Sequence, residues 1–254
     1  MKVQFSGATD VGLKRDHNED SFFLMAEQNL YMVADGMGGH SSGEVASRIA
    51  VETVAKFFAD SDADEDLTWP YRMDKGISYE ENRLASGIML ANRRIHEAAT
   101  EGKKGMGTTL VACVLVDGGV VIGHVGDSRV YRWRRGQLTQ VTEDHSLLND
   151  FMKVKKLSDE EIANFPHKNV IVRALGMKDN VQVDVRTDVP EEGDLYLLCS
   201  DGLSGMVTDA EMAAILSTDQ DDVEGLCSRL IAAANRGGGV DNITAVIIRL
   251  IPGE

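Results

Sequence analysis

Residues 110–116 read LVACVLV, seven apolar positions in a row with no polar alternation. A strand that meets water on one side alternates in character, so an unbroken run predicts a strand covered on both faces. Two more strand-like runs follow at once, 120–125 and 130–133, with Gly118-Gly119 supplying a hairpin turn between the first two. No helix has room to form between them. That disfavours an alternating βα sheet and points to antiparallel strands with an apolar layer packed against each side.

The covering layers can be read from spacing. Val45, Ala46, Ile49, Ala50, Val54 and Phe57 recur at helical intervals behind a cap at Ser41 or Ser42. Leu84, Ile88, Ala91, Ile95 and Ala98 repeat the pattern. Between them, 59–79 reads as a surface connection, and its acids at 60–66 as a solvated loop. Strands are predicted at 181–189, 195–199 and 244–250, and helices at about 209–216 and 223–235. The stretch 146–168 is polar and weakly helical around 158–161. The expected class is α+β, antiparallel sheets with helices packed outside them.

Forty-one acidic residues against 26 basic ones leave a net charge of -15. With no basic stripe to displace counterions from phosphates, nucleic acid is excluded as a partner. No apolar run is long enough to span a bilayer, and the chain opens on polar residues without a secretory leader, so neither a membrane span nor export is expected. Cys113, Cys199 and Cys227 each sit in an apolar segment and read as buried hydrophobes of a reducing cytoplasm.

Four apolar runs carry an aspartate at one end, each with glycine nearby. Asp35 follows YMVA and opens DGMGGH, Asp127 follows VIGHVG, Asp201 follows LYLLCS, and Asp241 precedes NITAVI. If these strands share a sandwich, the carboxylates converge on one edge. Like charges about 4 Å apart repel by roughly 4 kcal/mol per pair at an effective dielectric near 20, so bound cations or protons must offset them. Hard oxygen donors without Cys or His at ligand spacing favour Mg²⁺ or Mn²⁺ over Zn²⁺, and no EF-hand loop is present for Ca²⁺. A pair of such ions lowers the pKa of a shared water and holds phosphoryl oxygens for in-line attack. Arg15 is the candidate guanidinium for phosphate, with a surface ion pair as its alternative, and Glu19 and Asp20 are candidates to orient metal-bound water. His40, His96 and His145 read as surface or hydrogen-bonded turn residues. The glycines at 102–107 lack the lysine and helix of a P-loop, and no Gly-Xaa-Ser-Xaa-Gly is present.

With these residues in view, the chain resembles the PPM family of metal-dependent, type 2C serine/threonine protein phosphatases, in their stand-alone bacterial form. The motifs stand in family order as RDHNED (15–20), VADGMGGH (33–40), MGTTL (106–110), GDSRVY (126–131), VRALG (172–176), SDGL (200–203) and VDNITAV (240–246). The resemblance implies one domain over residues 1–254, a four-layer α/β/β/α sandwich of two antiparallel sheets flanked by helix pairs, with a flap at about 145–169. It implies two central Mn²⁺ or Mg²⁺ ions bridged by Asp35, with the Gly36 carbonyl on one of them. Asp201 and Asp241 would complete the other. Asp127 with Asp201 would hold a third, weaker ion. Arg15 would grip the phosphate, and Asp20 would hold metal-bound water. Phosphorylated proteins are the implied partners, with a bacterial Ser/Thr kinase working in opposition, and a monomer is expected. Where eukaryotic members carry a histidine as proposed general acid, this chain has Met37. The proton donor then lies between His40 and a metal-bound water, the water being favoured. The alternative reading is a catalytically silent phosphoprotein binder.

Overall fold

Two antiparallel sheets lie face to face in the computed structural model, which describes residues 2–38, 42–64, 68–100, 105–163, 165–166 and 170–253. The first sheet runs, in spatial order, β2 (Asp20–Met25), β3 (Leu30–Met37), β5 (Leu110–Val116), β6 (Gly119–Val125) and β9 (Asp184–Asp188), with the short β4 (Gly107–Thr108) paired to the end of β3. The second runs β1 (Lys2–Asp10), β11 (Ile243–Ile251), β10 (Leu195–Cys199), β7 (Arg129–Arg134) and β8 (Gln137–Gln140). Helices α1 (Ser42–Ala63) and α2 (Tyr79–Thr100) pack on the outer face of the first sheet. The outer face of the second carries α5 (Asp201–Ser204), α6 (Asp209–Leu216) and α7 (Val223–Arg236). Two further helices, α3 (Leu147–Val154) and α4 (Asp159–Ala163), fall in the expected flap region.

The unbroken apolar run of β5 is explained by three stacked cores. Leu110, Ala112 and Val114 point outward to Ala50, Val54, Phe58, Leu84 and Ile88 of the helix pair. Val111 and Cys113 point inward, to a layer shared with Val130, Tyr196, Leu198, Val246 and Ile248 of the other sheet. A third core joins Leu195, Leu197, Ala245 and Ile247 to Leu203, Met212, Leu226 and Leu230. Each fully buried Val or Leu contributes about 1.5–3 kcal/mol relative to exposure, so strands shared between two cores are firm platforms for their own ends.

The structure departs from the sequence reading in four places. Strand β3 does not stop at Asp35 but continues through Gly36 to Met37, because β4 offers it a partner there. Helix α1 extends through Asp60 and Asp62 to Ala63, its buried face continuing to Ser61. The tight turn falls on Asp117-Gly118, and Gly119 already pairs within β6. Helix α3 lies in a stretch read as helical only around 158–161; Ser146 caps it, its side chain accepting from the Asn149 amide at 3.3 Å. Among the described residues, no helix is long and apolar enough to cross a membrane.

Candidate active site

Five aspartates meet at one edge of the sandwich, contributed by both sheets. Asp20 opens β2 and stands directly opposite Asp35 in the β2–β3 register, which puts both side chains on the same face about 5 Å apart. Asp127 sits in the turn from β6 to β7, Asp201 is the first residue of α5 immediately after β10, and Asp241 lies just ahead of β11. Asp35 feels the charges of Asp20, Asp201, Asp127 and Asp241, and Asp201 lies within hydrogen-bonding reach of Asp35. The five aspartates named in advance are therefore brought together. Arg15 joins them, its Nη2 donating to Asp241 Oδ2 at 2.7 Å while about half the side chain stays exposed. His40, expected to contact substrate or supply a proton, lies outside the described residues.

Loss of solvent, reinforced by neighbouring carboxylates, raises four of these acids. Burial and the charges of Asp201 and Asp241 push Asp20 up to about 7, against hydrogen bonds from Thr244 and Ser200 that lower it. Asp127 is pushed up to about 7 by burial, then by Asp201 and Asp144. Asp35 is driven well above the usual carboxylate range by burial and four neighbouring acids. Asp201 is raised by burial and Asp241, with Arg15 and Arg129 opposing. The hydrogen bond to Asp241 raises Arg15 further, so it is a permanent cation.

Do these residues fit a divalent cation? Asp127 Oδ1 is buried with no hydrogen-bond partner among the described residues, a state that costs free energy unless something else satisfies the oxygen. The donors that converge are carboxylate oxygens, as Mn²⁺ and Mg²⁺ prefer. The set fits a hard cation.

Several residues that hold the acids in place were not foreseen. Thr108 Oγ1 donates to the Asp35 carbonyl at 2.8 Å, and the Thr109 amide donates to the same oxygen at 2.9 Å. Thr109 Oγ1 accepts from the Asp35 amide at 3.0 Å and meets Ser128 Oγ at 2.6 Å. Thr244 Oγ1 donates to Asp20 Oδ2 at 2.7 Å. Asn242 pins the Arg15 loop, accepting from the Glu19 amide and donating to the carbonyls of Val11 and His17. Adjacent Thr108-Thr109 was the one local signal in sequence. The other partners lie far along the chain.

Two residues of this region also serve packing. At Gly36, a side chain would run into the carbonyl oxygens of Gly43 and Glu19. The glycine serves close packing of β3 against the start of α1. Glu19, a candidate to orient water, has its Oε1 accepting from the Gly43 amide at 3.2 Å, again at the start of α1.

Beside this edge lies a second polar cluster. His124, His145 and Asp184 bring one ligand-type atom each within 4.8 Å of one another. The two imidazoles stack with centroids 4.6 Å apart, and His145, read as a surface or turn residue, is buried. Burial, then His124, lowers the His145 pKa, so the ring is neutral near pH 7.

A family model described as "Protein phosphatase 2C" matches residues 14–229. A Listeria innocua protein named serine/threonine phosphatase stp is 38% identical over 94% of this chain and 93% of its own length. Protein phosphatase PhpP of Streptococcus pneumoniae is 34% identical, with 98% of each chain covered. Among solved structures, the catalytic domain of the serine/threonine protein phosphatase PstP in complex with two manganese ions superposes with a TM-score of 0.79 at 33% identity, covering 98% of this chain and 99% of that one. The chain belongs to the protein phosphatase 2C family. It is accordingly a metal-dependent protein phosphatase, and the silent-binder alternative falls, since no acid of the expected set is missing.

Proposed function

We propose that the carboxylate edge is the catalytic metal centre of a phosphatase acting on phosphoserine and phosphothreonine in proteins. The observation that carries this is the meeting of Asp20, Asp35, Asp127, Asp201 and Asp241 around a buried, unpartnered carboxylate oxygen, with Arg15 beside them. Asp35, Gly36, Asp201 and Asp241 would hold two Mn²⁺ or Mg²⁺ ions, Asp127 with Asp201 a third, and Asp20 would act through water. When bound, such ions supply an activated water and neutralise phosphoryl charge.

The chain's own residues do the rest. Arg15 offers a planar fork of donors at the half-exposed mouth, suited to two phosphoryl oxygens at once. Thr108 and Thr109 fix the Asp35 peptide from both sides, and Thr244 fixes Asp20, so the acids are set before substrate arrives. The 145–169 region, with α3 and α4, is proposed as the flap beside the edge. A cytoplasmic, monomeric enzyme reversing a Ser/Thr kinase in signalling belongs to the same reading; three buried, unpaired cysteines support the reducing compartment.

The test is phosphate release from a phosphothreonine peptide by chelator-treated protein titrated with Mn²⁺. Turnover should rise steeply with Mn²⁺ and vanish in Asp35→Ala and Asp201→Ala that remain folded. Retained turnover in either variant overturns the ligand assignment. A free nucleotide hydrolysed faster than the peptide would move the substrate class to small phosphate esters.

A further inference from the structure

The His124–His145–Asp184 cluster looks like a second metal site, yet its hydrogen bonds describe a clamp. The His145 Nδ1 accepts from the Gly126 amide at 3.0 Å, so its lone pair is taken. The ring proton then sits on Nε2 and is donated to Asp184 Oδ2 at 3.1 Å. Arg173 Nη1 holds the other oxygen of Asp184 at 2.6 Å and lies 3.0 Å from Nε2, so the carboxylate already has two cationic or polar donors. His124 is likewise engaged, its Nε2 facing the Glu143 carbonyl at 2.9 Å. Every group in the cluster has a protein partner, unlike Asp127 Oδ1 next door.

What the clamp grips is Gly126, the residue that precedes Asp127. The backbone amide of His145 donates to the Gly126 carbonyl at 2.9 Å, while its ring accepts from the Gly126 amide. Gly126 is thus held through both of its flanking peptide groups. Gly126 has φ +111°, where a side chain would strike Thr109, so the turn is a special conformation that needs holding. On its far side, Ser128 is held by Thr109, which also binds the Asp35 amide. His145 itself stands at the root of the flap region, its carbonyl accepting from the Val172 amide at 2.9 Å and Ser146 bridging Ile171.

We propose that His145 is a positioning residue for Asp127: through Nδ1 it fixes the Gly126 peptide, and Asp184 with Arg173 fixes the ring, so that the Asp127 carboxylate keeps its place in the metal-binding edge. This rests on the metal-centre reading given above. Outer residues that orient a metal ligand change affinity by about 10–100-fold when removed.

Two substitutions separate the two ends of the ring. His145→Asn keeps an acceptor where Nδ1 stood and loses the link to Asp184. His145→Gln keeps a polar group near Nε2 and loses the acceptor on Gly126. Chelator-treated full-length variants are titrated with Mn²⁺ by calorimetry, with melting temperature measured in parallel. The weakest Mn²⁺ class should weaken about tenfold or more in His145→Gln and by no more than about threefold in His145→Asn, with the tighter ions nearly unchanged in both. Equal affinities in the two variants, or a lowered melting temperature with unchanged Mn²⁺ binding, would overturn the proposal. Loss of a whole Mn²⁺ equivalent in both would make His145 a ligand and overturn it too. Should His145→Gln not fold, Asp184→Asn, on a half-buried side chain, should still weaken the same class severalfold, and an unchanged value would count against the clamp. Wild-type protein that binds no Mn²⁺ would instead overturn the metal-centre reading on which this one stands.

Discussion

At the scale of single residues, the site is a set of acids that repel one another, held by hydroxyls that do not. Thr109 is the clearest case, since one hydroxyl serves both the Asp35 amide and Ser128. Thr109→Val keeps the shape and strands those partners. A loss of about 1–3 kcal/mol in urea unfolding is expected, with higher Mn²⁺ needed for half-maximal turnover and recovery of both in Thr109→Ser. Asp35→Asn should do the opposite to stability. Removing a buried acid that feels four neighbouring carboxylates relieves repulsion, so the chelated variant should melt about 2–4 °C above chelated wild type for each 1 kcal/mol relieved, with turnover at background. The acids were legible in the sequence because an apolar run ending in aspartate and glycine is a local pattern. Their supports were not: Thr109 and Ser128 are 19 residues apart and Asp20 and Thr244 are 224 apart, and nothing in either neighbourhood marks them as partners.

At the scale of elements, strands and helices whose apolar positions are committed to a core were read almost to the residue, α6 and β10 among them. Helix α3 was missed for a physical reason. Leu147, Phe151 and Met152 remain roughly 40% exposed, so its apolar positions answer to none of the three cores, and a helix of eight residues gives its period little length to show. Likewise β3 was cut short, because the partner that prolongs it, β4, is two residues long and lies some seventy positions away. Helix α6 offers a test of local against global support. Thr208 and Glu211 close a reciprocal capping box at its start. Thr208→Ala should cost about 1 kcal/mol by chemical denaturation. Phosphate release should be unchanged, because α6 packs in the core farthest from the first sheet.

At the scale of the whole molecule, the cluster makes stability depend on pH and metal together. Asp20 and Asp127 are both raised to about 7, and burial with four neighbouring acids drives Asp35 well above the usual carboxylate range. A carboxyl whose folded pKa exceeds its unfolded value, near 4, favours the folded chain while protonated, fully below about pH 4. That contribution is lost as pH climbs through about 7. Chelated protein should therefore show a falling melting temperature between about pH 4 and 7, and saturating Mn²⁺ should flatten or reverse the slope; a chelated protein with no slope in that window would contradict the burial of these charges. The five acids also come from both sheets, and β1 and β11, the first and last described strands, pair along nine residues to build the second. A chain with only one sheet formed has no edge to load. On the proposed metal-centre reading, metal capture is a receipt for completed assembly: misregistered or half-docked molecules would stay inert toward phosphoproteins, and the fraction of a preparation that takes up Mn²⁺ would count the molecules whose two ends have found each other.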